Sequence, residues 1–195
     1  APKEGEHVIE IDPGMAFGTG THHTTNMMME RLEKVITPDS TVFDVGTGSG
    51  ILAIAAAMLG AKSVKAVDID AVAVRVAKEN VADNGLSDQI EVREGDLLHG
   101  TEGKADVIIA NIIADIVIML LQDIPQKLND DGVLWHFLSR NADSRPFGTN
   151  HIQHQLHQFI QSHRIHRVIL RQNRILDIFQ QQGAVLCPLA RRADR

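Results

Sequence analysis

The fold class predicted from the sequence is α/β: a doubly wound, mostly parallel sheet with helices on both faces, spanning residues 1–134. Three observations predict it. Short β-branched runs alternate with segments of helical periodicity from Thr41 to Leu134. A glycine-rich turn, Asp44-Val-Gly46-Thr-Gly48-Ser-Gly50, joins the first of those runs to an apolar helix. Polar residues that a core does not need stand just past successive strands, at Asp68, Asp96 and Asn111.

Each element has its own warrant. Val8 to Ile11 alternates as a short extended segment, stopped by Pro13-Gly14. A loop rich in Gly, Thr and His follows, Phe17-Gly-Thr-Gly-Thr-His-His-Thr-Thr25. Met27, Met28, Arg31 and Leu32 then recur at helical spacing, which predicts a helix from Thr24 to about Val35. Pro38-Asp39 is a turn, and Thr41 to Val45 is a buried strand. Ile51 to Leu59 is an apolar helix closed by Gly60. Ser63 to Val67 is the second strand, running into Asp68-Ile-Asp70. Ala71 to Asp83 is amphipathic, with Asn84-Gly85 as its C-cap. Ile90 to Arg93 and Ala105 to Ala110 are the third and fourth strands. Asp115 to Leu128 is expected as one helix, Asp130-Asp131-Gly132 as a turn, and Val133-Leu134 as the start of a fifth strand. Ligands of such sheets sit at the carboxyl ends of the strands.

Composition narrows the class. With 195 residues and 44% apolar content, the chain suits one globular domain, or one plus a tail. The best membrane candidate, Ala105 to Leu121, is broken by Asp106, Asn111 and Asp115, and no secretory signal is visible. The lone Cys187 excludes an internal disulfide framework and leads to an expected reducing, cytoplasmic setting. Charge divides the chain. Residues up to Leu134 carry 10 Lys and Arg against 22 Asp and Glu, a net of −12; from Trp135 onward the numbers are 9 and 3, a net of +6. All nine cations of the tail are Arg, and six of the ten histidines lie between His136 and His166. The shift marks a boundary, so residues 135–195 are read as a separate His/Gln/Arg-rich tail.

The chemistry-bearing residues cluster at the strand ends. Glycines at 46, 48 and 50 let backbone approach a ligand and present free N–H groups. A nicotinamide-binding loop would need a third Gly, or Ala, where this chain has Ile51. Asp68, 22 residues after Gly46, can accept hydrogen bonds from both hydroxyls of a ribose. Either Asp68 or Asp70 could instead cap the next helix; ribose binding is assigned to Asp68 and capping to Asp70. Asp96 either meets an adenine amino group or is an ordinary turn residue. Asn111 carries both donors and an acceptor, enough to hold a ligand and a neutral amine together.

Together with the first loop, these residues resemble one family. Ile11-Asp-Pro-Gly-Met-Ala-Phe-Gly-Thr-Gly-Thr-His22, Thr24-Thr25, Asp44-Val-Gly-Thr-Gly-Ser-Gly-Ile-Leu-Ala-Ile54, Val67-Asp-Ile-Asp70 and Ala110-Asn-Ile-Ile-Ala114 are similar to the class I, Rossmann-like methyltransferases of the PrmA type, which modify ribosomal large-subunit protein eleven. The resemblance covers about residues 9–134. It implies S-adenosylmethionine as cofactor, contacted by Thr25, Gly46, Asp68 and Asn111. Gly48, Gly50, Asp96, Thr24 and His22 complete the expected cofactor-binding group, and Asn111 is expected to position the substrate amine. The implied acceptors are the α-amino group and lysine ε-amino groups of the ribosomal protein. His23 departs from the family, which usually has Pro there.

Two departures are larger. Members of the family carry an N-terminal domain that recognises the ribosomal protein, and this chain starts near the linker that follows it. After Leu134 the family finishes the fifth strand, then adds a Ser-Gly-Ile-like turn, a helix and an antiparallel edge pair; Trp-His-Phe-Leu-Ser-Arg matches none of this. A shifted reading frame or an altered gene end is the expected origin of residues from about 135, and the fifth strand is then expected to be an exposed edge. The tail histidines His151, His154, His157, His163 and His166 have helical spacing, but a compositional accident is the preferred reading and no metal is expected. No aromatic platform accompanies the arginines, so nucleic acid is not an expected partner. The expected enzyme aligns an amine lone pair with the cofactor methyl and lowers the lysine pKa by desolvation, without a dedicated strong base. The rivals are a class I methyltransferase with another amine substrate, an inactive or binding-only remnant, and a nicotinamide oxidoreductase.

Overall fold

A computed structural model describes residues 7–12, 23–137 and 168–171. The elements are α1 (His23–Val35), β1 (Thr41–Val45), α2 (Ile51–Met58), β2 (Ser63–Asp68), α3 (Ala71–Asp83), β3 (Ile90–Glu94), β4 (Ala105–Ala110), α4 (Ala114–Leu120), α5 (Ile124–Lys127), β5 (Leu128–Phe137) and β6 (Val168–Arg171). The strands lie in the order β3-β2-β1-β4-β5-β6, and every pairing is parallel. The tail histidines from His151 to His166 and Cys187 lie outside the described residues.

Strand alternation sorts the core into two layers. Val42, Val64, Ala66, Val107 and Ile109 face one side, where Met28 and Leu32 of α1, the apolar α2, and Val74, Ala77 and Val81 of α3 cover them. Phe43, Val45, Ile108 and Ala110 face the other, under Leu120, Leu121 and Ile124. The sheet is thus wound on both sides, as its β-branched runs predict. Local signals hold at the helix ends. Asp70 caps α3 by accepting from the Val72 N–H at 2.8 Å, and Gly85 ends the cap in the left-handed conformation, φ 69°. Among the described residues, no helix is long and apolar enough to cross a membrane.

Three expectations are corrected. The single helix over 115–128 is two, α4 and α5, because Pro125 lacks the N–H that a continuous helix would use and sits instead in the first turn of α5. β5 begins earlier than Val133. Ala105 pairs with Leu128 and Val107 with Val133, so residues 129–132 bulge out of the strand. The turn residues Asp130-Asp131-Gly132 make that excursion within β5 rather than before it.

The third concerns the edge of the sheet. β5 continues to Phe137, and Trp135 and His136 are 5% and 2% exposed. β6 then pairs alongside it, Leu134 opposite Val168 and His136 opposite Leu170, so β5 is an interior strand and not an exposed edge. The fit of the first two residues past the charge break is imperfect in chemistry. Among the described residues, the buried side-chain atoms with no hydrogen-bond partner are Asp123 Oδ2, Trp135 Nε1 and His136 Nε2. Two polar atoms thereby enter apolar layers that offer them nothing, at about 1–3 kcal/mol each.

Candidate functional site

The direction of chain progression across the sheet reverses between β1 and β4, which makes the crevice beyond their carboxyl ends the natural ligand position. Three strand tips meet there: Gly46 after β1, Asp68 closing β2, and Asn111 after β4.

The glycine turn is built inward. Gly46 and Thr47 N–H donate to the Val67 carbonyl at 2.8 and 3.1 Å, Gly50 N–H donates to the Thr47 carbonyl at 2.9 Å, and Gly48 N–H donates to Asp68 Oδ2 at 2.9 Å. The expectation of free N–H groups is therefore corrected for these four. The glycines serve conformation and clearance, since Gly46, Gly48 and Gly50 all have positive φ. At Gly46 a Cβ would lie 2.2 Å from Ile112 Cγ2, so the residue after Asn111 rests directly on the turn. Gly50 likewise lets α3 approach, since a Cβ there would meet Ala77 Cβ at 3.3 Å.

Asp68 binds the turn with one oxygen and the Asp70 N–H with the other, at 3.0 Å. Each carboxylate oxygen keeps a lone pair for a ligand hydroxyl. Beneath the turn lies Asp44, only 1% exposed, accepting from Thr47 Oγ1 at 2.7 Å and from the Ala53 N–H in the first turn of α2. Gly50 offers α2 no side-chain cap, and Asp44 supplies the negative end instead. Burial pushes the Asp44 carboxyl up to about 6; the Thr47 and Ala53 hydrogen bonds oppose that, and the neighbouring negative charge of Asp68 adds to it. None of residues 44–50, 68–70 and 111–115 is basic.

The other expected residues divide. Thr25 is buried at the start of α1. Asn111 is half-buried and hydrogen-bonded or otherwise engaged within the chain. Asp96 is exposed, with its carboxylate 3.9 Å from His99 Nδ1 and its carbonyl accepting from the His99 N–H. His22 and the side chain of Thr24 lie outside the described residues. Sequence reasoning placed Asp44 in the glycine motif without giving it a role of its own, and passed over Asn80. Asp44 is a carboxylate inside an otherwise apolar buried strand. Asn80 is an amide on the apolar stripe of α3, between Ala77 and Val81. In both cases a polar residue in a buried pattern was the available signal.

The family model for ribosomal protein L11 methyltransferase matches residues 1–137. The chain is 60% identical over 133 residues to the ribosomal protein L11 methyltransferase of Clostridium botulinum strain Eklund 17B, covering 68% of this chain and 42% of that protein. It is 56% identical over 131 residues to that of Alkaliphilus oremlandii, covering 67% and 42%. The chain thus spans 42% of the length of these curated relatives. The crystal structure of ribosomal protein L11 methylase from Lactobacillus delbrueckii subsp. bulgaricus superposes with a TM-score of 0.66 at 38% identity, covering 78% of this chain and 75% of that one. Precorrin 8W decarboxylase from Methanobacterium thermoautotrophicum shares the fold, with a TM-score of 0.59 at 18% identity.

Proposed function

The chain belongs to the ribosomal protein L11 methyltransferase family, and on that premise we propose that it is the S-adenosylmethionine-binding unit of a protein N-methyltransferase acting on amino groups of a ribosomal large-subunit protein. One observation carries the cofactor reading. Two carboxylates, Asp44 and Asp68, flank a glycine turn that spends four N–H groups internally, in a crevice whose strand tips hold no basic residue. Such a site favours a cationic nucleoside and disfavours a pyrophosphate.

The residues fit the group. Asp68 would hold the ribose hydroxyls with its remaining lone pairs, while its bonds to Gly48 and Asp70 keep the carboxylate fixed. Asp44 supplies negative potential from below. Thr25, Gly46, Gly48, Gly50 and Asn111 complete the binding group, with Asp96 at its adenine side. When bound, S-adenosylmethionine supplies an electrophilic methyl group. Asn111 orients the acceptor amine, an α-amino or lysine ε-amino group, through its amide oxygen. Ile69 follows Asp68 and Ile113 lies two residues after Asn111; exposed at 71% and 55%, they offer apolar surface that would desolvate an amine only once the acceptor covers it.

Titration of the purified chain with S-adenosylmethionine, and separately with NAD, tests the cofactor; binding of the first alone is expected, and binding of NAD alone overturns the reading. Transfer of labelled methyl to the purified ribosomal protein tests the substrate. Asp68→Ala should weaken S-adenosylmethionine binding by about 1–3 kcal/mol, the scale of charge-assisted hydrogen bonds. Unchanged affinity in that variant removes Asp68 from the site.

A further inference from the structure

We infer that Asn80 is a positioning residue for the cofactor crevice, holding the glycine turn and the segment 10–12 in one geometry through a single buried amide; this rests on the cofactor reading above. Asn80 is 1% exposed. Its Nδ2 donates to the Ser49 carbonyl at 2.8 Å and to the Asp12 carbonyl at 3.1 Å, while Oδ1 accepts from the Asp12 N–H at 2.9 Å. Both donors and the acceptor are therefore engaged. Ser49 is itself fully buried and sits between Gly48, whose N–H holds Asp68, and Gly50, whose α-carbon lies against Ala77 one turn before Asn80. The short reach of an asparagine suffices only because Gly50 lets α3 come that close. The path from Asn80 to Ser49, Gly48 and Asp68 is a continuous run of covalent and hydrogen bonds.

A built-in control separates positioning from simple stapling. One turn later, Asn84 Nδ2 donates to the Glu10 carbonyl at 2.7 Å and its Oδ1 accepts from the Glu10 N–H at 3.1 Å. The two amides read alternate residues of the 10–12 segment in the same way, as a partner strand would. Only Asn80 also holds the glycine turn. A merely structural role predicts similar consequences for both; a positioning role predicts a ligand effect for Asn80 alone.

The test uses Asn80→Asp and Asn84→Asp, which keep the shape and remove the N–H donors. S-adenosylhomocysteine and S-adenosylmethionine are titrated into each full chain, and amide hydrogen exchange is followed over residues 46–50. Asn80→Asp is expected to lose about tenfold or more in affinity, the scale of one or two buried hydrogen bonds, with faster exchange in the turn. Asn84→Asp should stay within about twofold of the parent, as its side-chain bonds end on Glu10 and on the Asn80 backbone carbonyl and none reaches the glycine turn. Where Asn80→Asp does not fold, Asn80→Ala, which removes the donors without burying a charge, carries the same comparison. Equal affinities for parent and Asn80 variants, or an equal loss in Asn84→Asp, overturns the inference while leaving the cofactor reading standing. Failure of the parent chain to bind either nucleoside overturns the cofactor reading, and this inference with it.

Discussion

Gly46→Ala should cost about 2–5 kcal/mol of folding stability and abolish detectable nucleoside binding. Two effects add. An L side chain at φ 71° pays about 1–2 kcal/mol for the left-handed conformation. The new methyl would also stand 2.2 Å from Ile112 Cγ2, and relieving that overlap costs about 1–3 kcal/mol. Ile112 is bonded to Asn111, so the displacement moves the amide that orients the amine. Gly60→Ala isolates the first effect, because Gly60 also has positive φ, 99°, but nothing within 4 Å of its Cβ position. Denaturant unfolding of the two variants should rank Gly46→Ala clearly worse. Adding Ile112→Ala to Gly46→Ala should recover the steric part and leave the conformational part. Equal losses at positions 46 and 60 would show that Ile112 yields freely, and the close contact would then have no consequence.

Removing either of two buried titratable groups should uncover an opposite pH dependence of stability. Asp44, raised to about 6 chiefly by burial, has a folded pKa above the ordinary 3.8. Its stability contribution is complete below pH 3.8 and is lost as pH rises through about 6. His136 is the reverse. Burial lowers it from 6.5 to about 4, against the opposing bond between Nδ1 and the Ala110 carbonyl at 3.0 Å. Its contribution is complete above pH 6.5 and is lost as pH falls through about 4. Each swing is on the order of 3 kcal/mol, a large share of a typical folding free energy, and between pH 4 and 6.5 the two nearly cancel. Asp44→Asn should therefore be more stable than the parent at pH 7.5 by about 1–3 kcal/mol and lose stability steeply toward pH 4. Asparagine can still accept from Ala53 and donate to Thr47, so the fold is preserved. His136→Leu should change little at pH 7.5 and exceed the parent by about 2 kcal/mol at pH 5, because the unfolded parent gains a proton there that the folded parent, with His136 held neutral, does not take up. Denaturant midpoints across that range check both. Parallel curves for parent and variants would show that neither group is buried as described. Asp44→Asn should also bind S-adenosylmethionine less tightly despite its stability, a trade expected where a buried charge serves a ligand.

Much of the fold was legible because its signals are local. Thr41–Val45, Ser63–Val67 and Ala105–Ala110 were read from β-branched runs, and the structure shows them as β1, β2 and β4 within a residue. The capping role of Asp70 followed from its position before a helix, and the Val72 N–H bears it out. The failures have equally specific causes. Pro125 breaks a stretch whose apolar period alone predicts one continuous helix. The change of charge and composition after Leu134 falls inside β5, yet Trp135 is apolar enough to stay in the α1-side layer, where Arg31 lies 5.9 Å from its ring centroid. His136 follows it into the opposite direction of the pleat and is buried without a partner for Nε2.

The alternation of strands and helices, the glycine turn and the acid at the tip of β2 are all written in the local residue order. Each is decided by residues within a few positions of one another, through side-chain periodicity and backbone sterics. The partners of the turn's N–H groups, the sealing of Asp44 beneath it, and the meeting of Asn80 with Ser49 and Asp12, 31 and 68 residues away, arise from the packed fold. Burial and hydrogen-bond partnership belong to pairs of distant groups, and no local pattern specifies them until strand order and crossover bring those groups together.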